Sequence, residues 1–309
     1  MSLSAPSAAT RRATQRVAML SVATAMILII VKAIAWRASG SVAILAALAD
    51  SALDLVASVI TLLMVRYAHV PPDAEHRFGH GKAEAFSSLM QGGLVCASGA
   101  LIGHEAISAM RHPQPVEHGL AGVVVMSISI ALTLALITAQ TRVLRATGSI
   151  AIAGDRAHYV ADLAANGVAL VGVAAATWLG LTWVDGAAGL IVALWLIWGA
   201  IGVFREAAGQ LMDHELPEDD RARILALATA DPRILGVHQL RTRASGPYVH
   251  MQMHADLAAD ISLTEAHTIM VEAENRLLEA FPAADILIHP DPRGKAEPHG
   301  GLFAQSLEG

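Results

Sequence analysis

Two pairs of ionisable residues lie in otherwise apolar segments of the chain, and the members of each pair are four residues apart. Asp50 and Asp54 form the first pair, and His158 and Asp162 form the second. In an α-helix this spacing places both side chains on one face, one turn apart. Two such helices could bring together three carboxylates and one imidazole, which is a full ligand set for a tetrahedral divalent metal ion.

The chemistry of these ligands favours Zn²⁺. Imidazole nitrogen with carboxylate oxygen suits Zn²⁺, while Cd²⁺, Fe²⁺ and Co²⁺ are rivals and the lack of thiolate ligands argues against Cu⁺. A structural polar contact between helices, such as an aspartate capped by Ser51 or Asn166, is the alternative explanation. A charged side chain at bilayer depth costs roughly 2.5–3.5 kcal/mol, so such groups are retained where they have a polar partner or a function. Two pairs of matched spacing therefore indicate a metal site.

A second group of metal-binding residues lies in the polar segment PPDAEHRFGHGKAE, between two apolar stretches. It contains Asp73, His76 and His80. A metal could bind this group at the cytoplasmic surface of the membrane. Two histidines in a polar loop can also occur by chance, and the spacing alone leaves both interpretations open.

The third group lies in the hydrophilic C-terminal part of the chain and consists of histidines and an aspartate. Its members are His238, His250, His254, His267, His289 and Asp291, in a short region that also includes Asp256. His289 and Asp291 share one face of a strand, because side chains alternate along a strand, and His267 falls in an early turn of a helix. Such a cluster in a small domain predicts a two-metal site, with scattered surface histidines as the alternative. His250 has the least support, since with Tyr248 it could simply line the exposed face of its strand.

The segments that carry the first two groups are predicted to cross or to border a membrane. Of the 309 residues, 54% are hydrophobic and 16% are charged, and the mean hydropathy is +0.51, whereas soluble domains contain about 25% charged residues. Apolar stretches fall at about 17–36, 42–66, 86–109, 118–140, 149–179 and 186–206. The first is near the ~20 residues that span a bilayer and exceeds the roughly 7–15-residue core of a signal peptide. We therefore predict six transmembrane helices.

Lysine and arginine residues accumulate in the loops on one side of the predicted membrane. Arg66, Arg77 and Lys82 lie between the second and third spans, and Arg142 lies between the fourth and fifth. The positive-inside rule then places both termini in the cytoplasm. The fifth span begins with a polar third, residues 149–157, which we interpret as the lining of a water-filled vestibule.

The C-terminal part has the pattern of a small soluble domain. Pro217, followed by three acids, predicts a helix start. VHQLRTRASGPYVHMQMHAD predicts two strands joined by a turn at residues 245–247, and Ser262-x-x-Glu265 is a capping box that opens a second helix. A last strand begins at Ala284. The predicted fold class is an α-helical membrane protein of six transmembrane helices with a C-terminal α+β cytoplasmic domain of order αββαβ.

Four segments follow from this division of the chain. We predict a flexible cytoplasmic leader at 1–16, a transmembrane domain at 17–208, a cytoplasmic metal-binding domain at 209–292 and a disordered tail at 293–309. The single cysteine, Cys96, excludes a disulfide framework and a cysteine-based zinc site. The formal net charge of −6 gives no reason to expect nucleic acid as a partner.

Together, these motifs resemble those of the cation diffusion facilitator family, in particular its bacterial zinc and iron efflux members. The run from Asp50 to Asp54 is similar to the second-helix motif of the family, and PPDAEHRFGHGKAE is similar to its following loop. The pair His158-x-x-x-Asp162 is similar to its fifth-helix pair. The resemblance extends from about Val17 to Asp291, which is nearly all of the chain expected to be ordered.

The resemblance implies a homodimer of six-helix protomers with metallochaperone-like cytoplasmic domains, located in the inner (plasma) membrane of a bacterium. It implies a transport site, a loop site and a binuclear cytoplasmic site formed by the three groups above, the third without His250. In the binuclear site, Asp291 would bridge two metal ions. Lys82 and Asp213 match an ion pair near the membrane exit, and Glu75 is an additional acid that could change the affinity of the loop site. No prosthetic group is implied, since Zn²⁺ is the substrate and a structural or regulatory ion.

We therefore predict a secondary active transporter, not an enzyme, which exports Zn²⁺ from the cytoplasm in exchange for protons. Metal binding requires a neutral imidazole and ionised carboxylates, so protons compete with the metal, and His158 is the natural proton-binding ligand. An intramembrane metalloprotease would need H-E-x-x-H, and a nucleotide-driven pump would need a phosphate loop that GHGK does not form. A passive metal channel, a metal sensor, or an exporter mainly of Fe²⁺, Cd²⁺ or Co²⁺ are the alternatives that the sequence leaves open.

Overall fold

A computed structural model describes residues 7–40, 42–111, 120–179 and 183–295 of the chain. The predicted tail lies outside these residues from position 296 onward, as do the first six residues of the predicted leader. The chain divides into two compact units, one of them Ala9–Gly209 and the other made mainly of the residues from Gln210 onward.

The first unit consists of long apolar helices. They are α1 (Ala8–Ser39), α2 (Val42–Ala68), α3 (Ala83–Arg111), α4 (Leu120–Thr147), α5 (Ile150–Leu179) and α6 (Trp183–Leu211). Among the described residues, all of these helices but α5 contain a stretch long and apolar enough to cross a membrane. Helix α5 has the length to span as well, and it carries the ionisable residues His158 and Asp162. The fold is therefore the multi-pass helical membrane domain that the hydrophobic pattern predicts.

Helix α1 begins earlier than the hydrophobic pattern indicates. Residues 8–16, which fall in the predicted flexible leader, are helical in the structure. This prediction is wrong because polarity alone does not end a helix. The segment lacks proline and glycine and is rich in alanine and arginine, which favour helix, and the Thr14 hydroxyl donates to the Thr10 backbone oxygen at 3.0 Å.

Helix α5 is the central helix of the membrane unit, since it packs against α2, α3 and α4. A side-chain Cβ at Gly154 would lie 2.9 Å from the Cα of Ser88 on α3, closer than two carbon atoms approach without overlap. Glycine therefore allows α3 and α5 to pack closely, as small residues do between membrane helices. The helix continues through Gly154 without a break.

The second unit is an α+β domain whose elements follow the predicted order. They are α7 (Glu218–Ala228), β1 (Gly236–Ser245), β2 (Tyr248–Leu257), α8 (Leu263–Ala280) and β3 (Ala284–Pro292). The strands form one sheet in the order β1-β2-β3, with β1 and β2 antiparallel and β2 and β3 parallel. One face of β2 contributes Met251, Met253 and Ala255 to a core shared with both helices. This inward face is the one that alternation of apolar residues predicts.

The local signals in this domain are confirmed where they involve direct neighbours along the chain. Pro217 immediately precedes α7, and the first turn of that helix contains three acids. The Ser262 side chain accepts a hydrogen bond from the backbone N–H of Glu265 at 3.2 Å, as the capping box predicts. The turn between β1 and β2 contains Gly246 with φ +56°, a conformation that glycine adopts without strain.

An ion-pair cluster stabilises the connection between α7 and β1, and its effect depends on pH. The Arg233 side chain, together with its backbone N–H, hydrogen-bonds to Asp231 and lowers the pKa of that carboxyl to about 2. Since this value lies below the unfolded value of about 3.9, the stabilisation is present above pH 4 and is lost as the pH falls towards 2.

Asp231→Asn is therefore expected to lower the free energy of unfolding by up to about 1 kcal/mol at pH 7. The difference from the native protein should become small near pH 2, which thermal unfolding of both proteins at the two pH values would measure. Asp260→Asn, at an exposed turn position, is the matched control. Equal destabilisation at both pH values would contradict the electrostatic explanation.

Candidate metal sites

The membrane unit brings together one ligand from α2 and two from α5. Nε2 of His158 lies 3.0 Å from Oδ1 of Asp54 and 3.7 Å from Oδ2 of Asp162. One ligand atom from each of these three residues lies within 4.8 Å of the others. His158 and Asp54 are each only 5% exposed, so their polar atoms are removed from solvent. An imidazole nitrogen and two carboxylates at this distance can hold either a proton or a divalent metal ion.

Asp50, the fourth predicted ligand, has a different position. It lies one turn before Asp54 on α2 but is exposed, and it is absent from the group of ligand atoms within 4.8 Å of one another. A binding ion would have to draw this carboxylate inward. The amide of Asn166, one of the two residues of the structural alternative, donates to the backbone oxygen of Asp162 at 2.8 Å.

Asp155, three residues before His158 on α5, is a buried carboxylate that none of the sequence motifs includes. It is fully buried and accepts hydrogen bonds from Ser21 Oγ at 2.6 Å, Gln140 Nε2 at 2.8 Å and Gln91 Nε2 at 3.2 Å. These donors come from α1, α4 and α3, so Asp155 joins three helices to the helix that carries His158.

The polar start of the fifth span is therefore packed inside the protein. The interpretation of residues 149–157 as the lining of a vestibule is wrong for Asp155, because protein donors surround it. An acid within one turn of His158 in an apolar helix is the signal that could have identified it, since an unpaired carboxylate is rarely kept at that depth.

The loop after α2 forms a compact cluster of three predicted ligands. Asp73 Oδ2 lies 3.2 Å from Nε2 of His80, and Asp73 Oδ1 lies 3.5 Å from Nδ1 of His76. The backbone N–H groups of His76 and Glu75 donate to Asp73 and lower the pKa of its carboxyl, which favours the ionised carboxylate. Glu75 thus contributes its backbone N–H to the orientation of Asp73, a role that its side chain does not suggest.

The C-terminal unit places three histidines in one row across its sheet. The strand register pairs His238 with His254 and His254 with His289. Asp291 lies beside this row, with carboxylate oxygens 2.8 Å from Nδ1 of His254, 3.5 Å from Nε2 of His238 and 3.4 Å from Nε2 of His289. Since Asp256 is also 3.9 Å from His238, this edge of the sheet has carboxylate and imidazole ligands for metal ions.

His267 and His250 do not join this cluster in the structure. His267 is exposed on α8 and is not part of the group of ligand atoms that contains His254. His250 lies in another row of β2, where its Nδ1 is 3.0 Å from Asp285, and it is only 7% exposed. Burial lowers the pKa of His250, which keeps the imidazole neutral. The expectation that it lines an exposed strand face is therefore wrong.

The predicted ion pair between Lys82 and Asp213 stays a prediction. Within the C-terminal unit, the Asp213 carboxylate lies 3.2 Å from Nη1 of Arg243. Asp213 also has φ +58°, in the left-handed region of backbone conformation that residues other than glycine adopt rarely.

Comparison with known proteins gives matches over both units. Residues 18–212 match the cation efflux transmembrane domain, and residues 216–293 match the cation efflux protein cytoplasmic domain. The cation-efflux pump FieF of Shewanella oneidensis is 41% identical over 88% of this chain and 92% of its own length. FieF of Cronobacter sakazakii is 39% identical over 91% of this chain and 93% of its own. A solved structure of CzrB in its zinc form is 34% identical over 28% of this chain and 98% of its own, with a TM-score of 0.26.

Proposed function

This chain belongs to the cation efflux family, and from that premise we propose that it exports Zn²⁺ from the cytoplasm in exchange for protons. Family membership makes it a multi-pass membrane protein that transports divalent metal ions. The choice of Zn²⁺ and the coupling to protons rest on the chemistry of the membrane cluster. The relatives named as cation-efflux pumps support the direction of transport.

The observation that carries this proposal is the environment of one atom, Nε2 of His158. It faces Asp54 and Asp162 at 3.0 and 3.7 Å, inside a buried site. When this nitrogen is protonated, it donates a hydrogen bond to a carboxylate that would otherwise bind the metal. When it is deprotonated, its lone pair joins the two carboxylates as a ligand. A proton and a metal ion therefore exclude each other at the same place.

This competition supplies the coupling. In our proposal the site loads metal from the cytoplasm, then opens to the opposite side, where protons displace the ion from Asp54, His158 and Asp162. The protonated site returns and releases its protons to the cytoplasm, as in alternating access by rocking of helices. The close packing of α5 on α3 at Gly154, and the hydrogen bonds of Asp155 to α1, α3 and α4, would keep the ligands together through this movement.

The ligand types favour Zn²⁺ among the divalent ions. An imidazole with two or three carboxylates suits Zn²⁺ in tetrahedral geometry, whereas Mn²⁺ prefers oxygen ligands alone. Asp50, one turn from Asp54, would complete the set of four when an ion is bound. We assign the protein to the inner membrane because of its family and its apolar helices. The distribution of lysine and arginine supports a cytoplasmic location of both termini.

The two remaining clusters have supporting roles in our proposal. The row of His238, His254 and His289 with Asp291 would hold structural or regulatory Zn²⁺ and stabilise a homodimer, since ions bound between acidic domains reduce their repulsion. His267 stays a proposed ligand of this centre. The loop cluster around Asp73 would bind metal at the cytoplasmic surface before transport. The predicted domain limits at 17–208 and 209–292 are part of the same proposal.

The test of this function is Zn²⁺ flux in proteoliposomes that contain the full chain. We expect saturable uptake that increases several-fold when the lumen is made more acidic than the outside, because luminal protons displace the ion from the site. A fluorescent zinc indicator inside the vesicles measures the uptake, and protein-free liposomes under the same gradient are the control.

Each alternative predicts a different result in this assay. Flux that does not saturate and ignores the pH gradient would indicate a channel. Fe²⁺, Cd²⁺ or Co²⁺ flux well above that of Zn²⁺ would reassign the substrate. No flux of any of these ions would leave a metal sensor as the explanation.

A further inference from the structure

Lys32 is a buried cation in the membrane unit that the mechanism above does not use. It lies on α1, is 7% exposed, and donates from Nζ to the Ser51 hydroxyl at 2.6 Å and to the Ala47 backbone oxygen at 3.1 Å. Both hydrogen-bond acceptors are neutral. A buried lysine in a membrane segment is costly, so a compensating negative charge is expected nearby.

The carboxylates of the metal site are a source of that charge. Ser51 directly follows Asp50 on α2, so the hydrogen bond from Lys32 ends one residue from that carboxylate. The positive charge of Lys32 also acts on the carboxylates of Asp50 and Asp162. Asp155 is also a buried carboxylate on α5, but its hydrogen bonds come from Ser21, Gln91 and Gln140 and not from Lys32.

The formal charges of the site show how Lys32 could change the net charge of the metal-loaded site. Asp50, Asp54 and Asp162 have three negative charges when ionised, and a divalent ion provides only two positive ones. The ammonium group of Lys32 provides the third. The loaded site then has no net charge, and in a low-dielectric membrane a neutral site is far less costly than a charged one.

We propose that Lys32 is a fixed counter-charge of the membrane metal site, which makes the loaded site neutral and prevents the ion from binding too tightly to be released. The inference rests on the proposed transport function. Lys32 is a positioning residue here, since it acts through the carboxylates and does not contact the ion. Its hydrogen bonds to Ala47 and Ser51 hold the charge at the turn of α2 that precedes Asp54.

The test compares the dissociation constant of Zn²⁺ in variants of the full chain at pH 8, where protons compete least. The background protein carries both His76→Ala and His254→Ala, which disrupt the loop cluster and the C-terminal cluster. Zn²⁺ binding that is lost when Asp54→Ala is added to this background belongs to the membrane site. In this background, Lys32→Met is expected to lower the dissociation constant about tenfold, equivalent to about 1.4 kcal/mol. In flux assays the same variant should lower KM and the maximal rate together, because release is slowed.

Two matched variants separate charge from structure. Lys32→Arg keeps the positive charge and should keep the native dissociation constant. Ser51→Ala removes one acceptor of Lys32 but keeps the charge, and should not tighten binding. Lys32→Met should fold, since the Ser51 hydroxyl can then donate to the Ala47 oxygen one turn earlier. If Lys32→Met does not fold, Lys32→Gln is the neutral variant to measure in its place.

The outcomes for the two proposals are distinct. If the background protein has no Zn²⁺ binding that Asp54→Ala removes, the proposed function fails. If it has that binding and the neutral variants leave the dissociation constant unchanged or raise it, Lys32 has only a structural role and this inference is overturned.

Discussion

Replacing Asp54 with alanine is expected to reduce Zn²⁺ flux into proteoliposomes by at least about 100-fold. Asp54 is the one residue of α2 whose ligand atom lies within 4.8 Å of both His158 and Asp162, among the residues that the structure describes. Its loss removes a proposed direct ligand, and even the removal of a hydrogen-bond partner of a ligand costs about 10–100-fold in metal affinity. It also removes the hydrogen-bond partner of Nε2 of His158 at 3.0 Å, so the proton-bound state is weakened together with the metal-bound state.

Two variants accompany this measurement. Asp54→Asn keeps the size of the side chain and one oxygen but removes the charge, and should also lose most of the flux. Leu53→Ala changes the neighbouring residue, which is 67% exposed on the surface of α2, and should transport Zn²⁺ at nearly the native rate. Native-like flux in Asp54→Ala, with protein in the vesicles at the same amount, would show that transport does not depend on the site between α2 and α5.

Replacing Asp291 with alanine is expected to weaken Zn²⁺ binding by the C-terminal unit about 100-fold. Asp291 is 5% exposed, and its two oxygens lie within 3.5 Å of nitrogens from His238, His254 and His289. Its removal takes away the carboxylate that contacts all three histidines and that we propose as a metal ligand. Competition with a chelating zinc indicator, in the full chain with Asp54→Ala to silence the membrane site, measures the effect.

Asp285→Ala is the matched control for this variant. Asp285 lies on the same strand, β3, and also contacts a histidine, His250, at 3.0 Å, but it belongs to a different row of the sheet. Its replacement should leave Zn²⁺ binding within about twofold of native. If Asp285→Ala weakened binding as much as Asp291→Ala, the effect would reflect damage to β3 and not the loss of a ligand.

At the membrane site, the spacing of residues along the chain predicts which side chains share a helix face, but not which helices meet. The i, i+4 spacing places Asp50 near Asp54 and His158 near Asp162 on their own helices, and apolar flanks predict that both helices cross a membrane. Whether the two helices meet at these residues depends on how the bundle packs, including the close approach of α3 and α5 at Gly154, a contact between residues far apart in the chain. The structure joins Asp54, His158 and Asp162 and leaves Asp50 outside that group.

The row of histidines in the C-terminal unit likewise depends on contacts between residues that are far apart in the chain. Alternation predicts which residues of β2 point inward, and this prediction is confirmed by the burial of Met251 and Met253. Alternation does not predict the register between strands. A shift by one residue would have moved His254 away from His238 and His289. The hydrogen bond that buries His250 against Asp285 likewise depends on the pairing of β2 with β3.

The sequence alone therefore determines the local features of this protein, namely its helix caps, its hydrophobic periodicity and the spacing of its ligands. Each of these depends on a few adjacent residues and a fixed backbone geometry. They predict a six-helix membrane domain, an αββαβ domain and three groups of metal ligands. Tertiary structure alone decided that Asp155 is surrounded by donors from three helices and that Lys32 lies against the turn containing Asp50. Both facts concern charges whose environment comes from other helices, and the energy of a buried charge is set by what surrounds it in space.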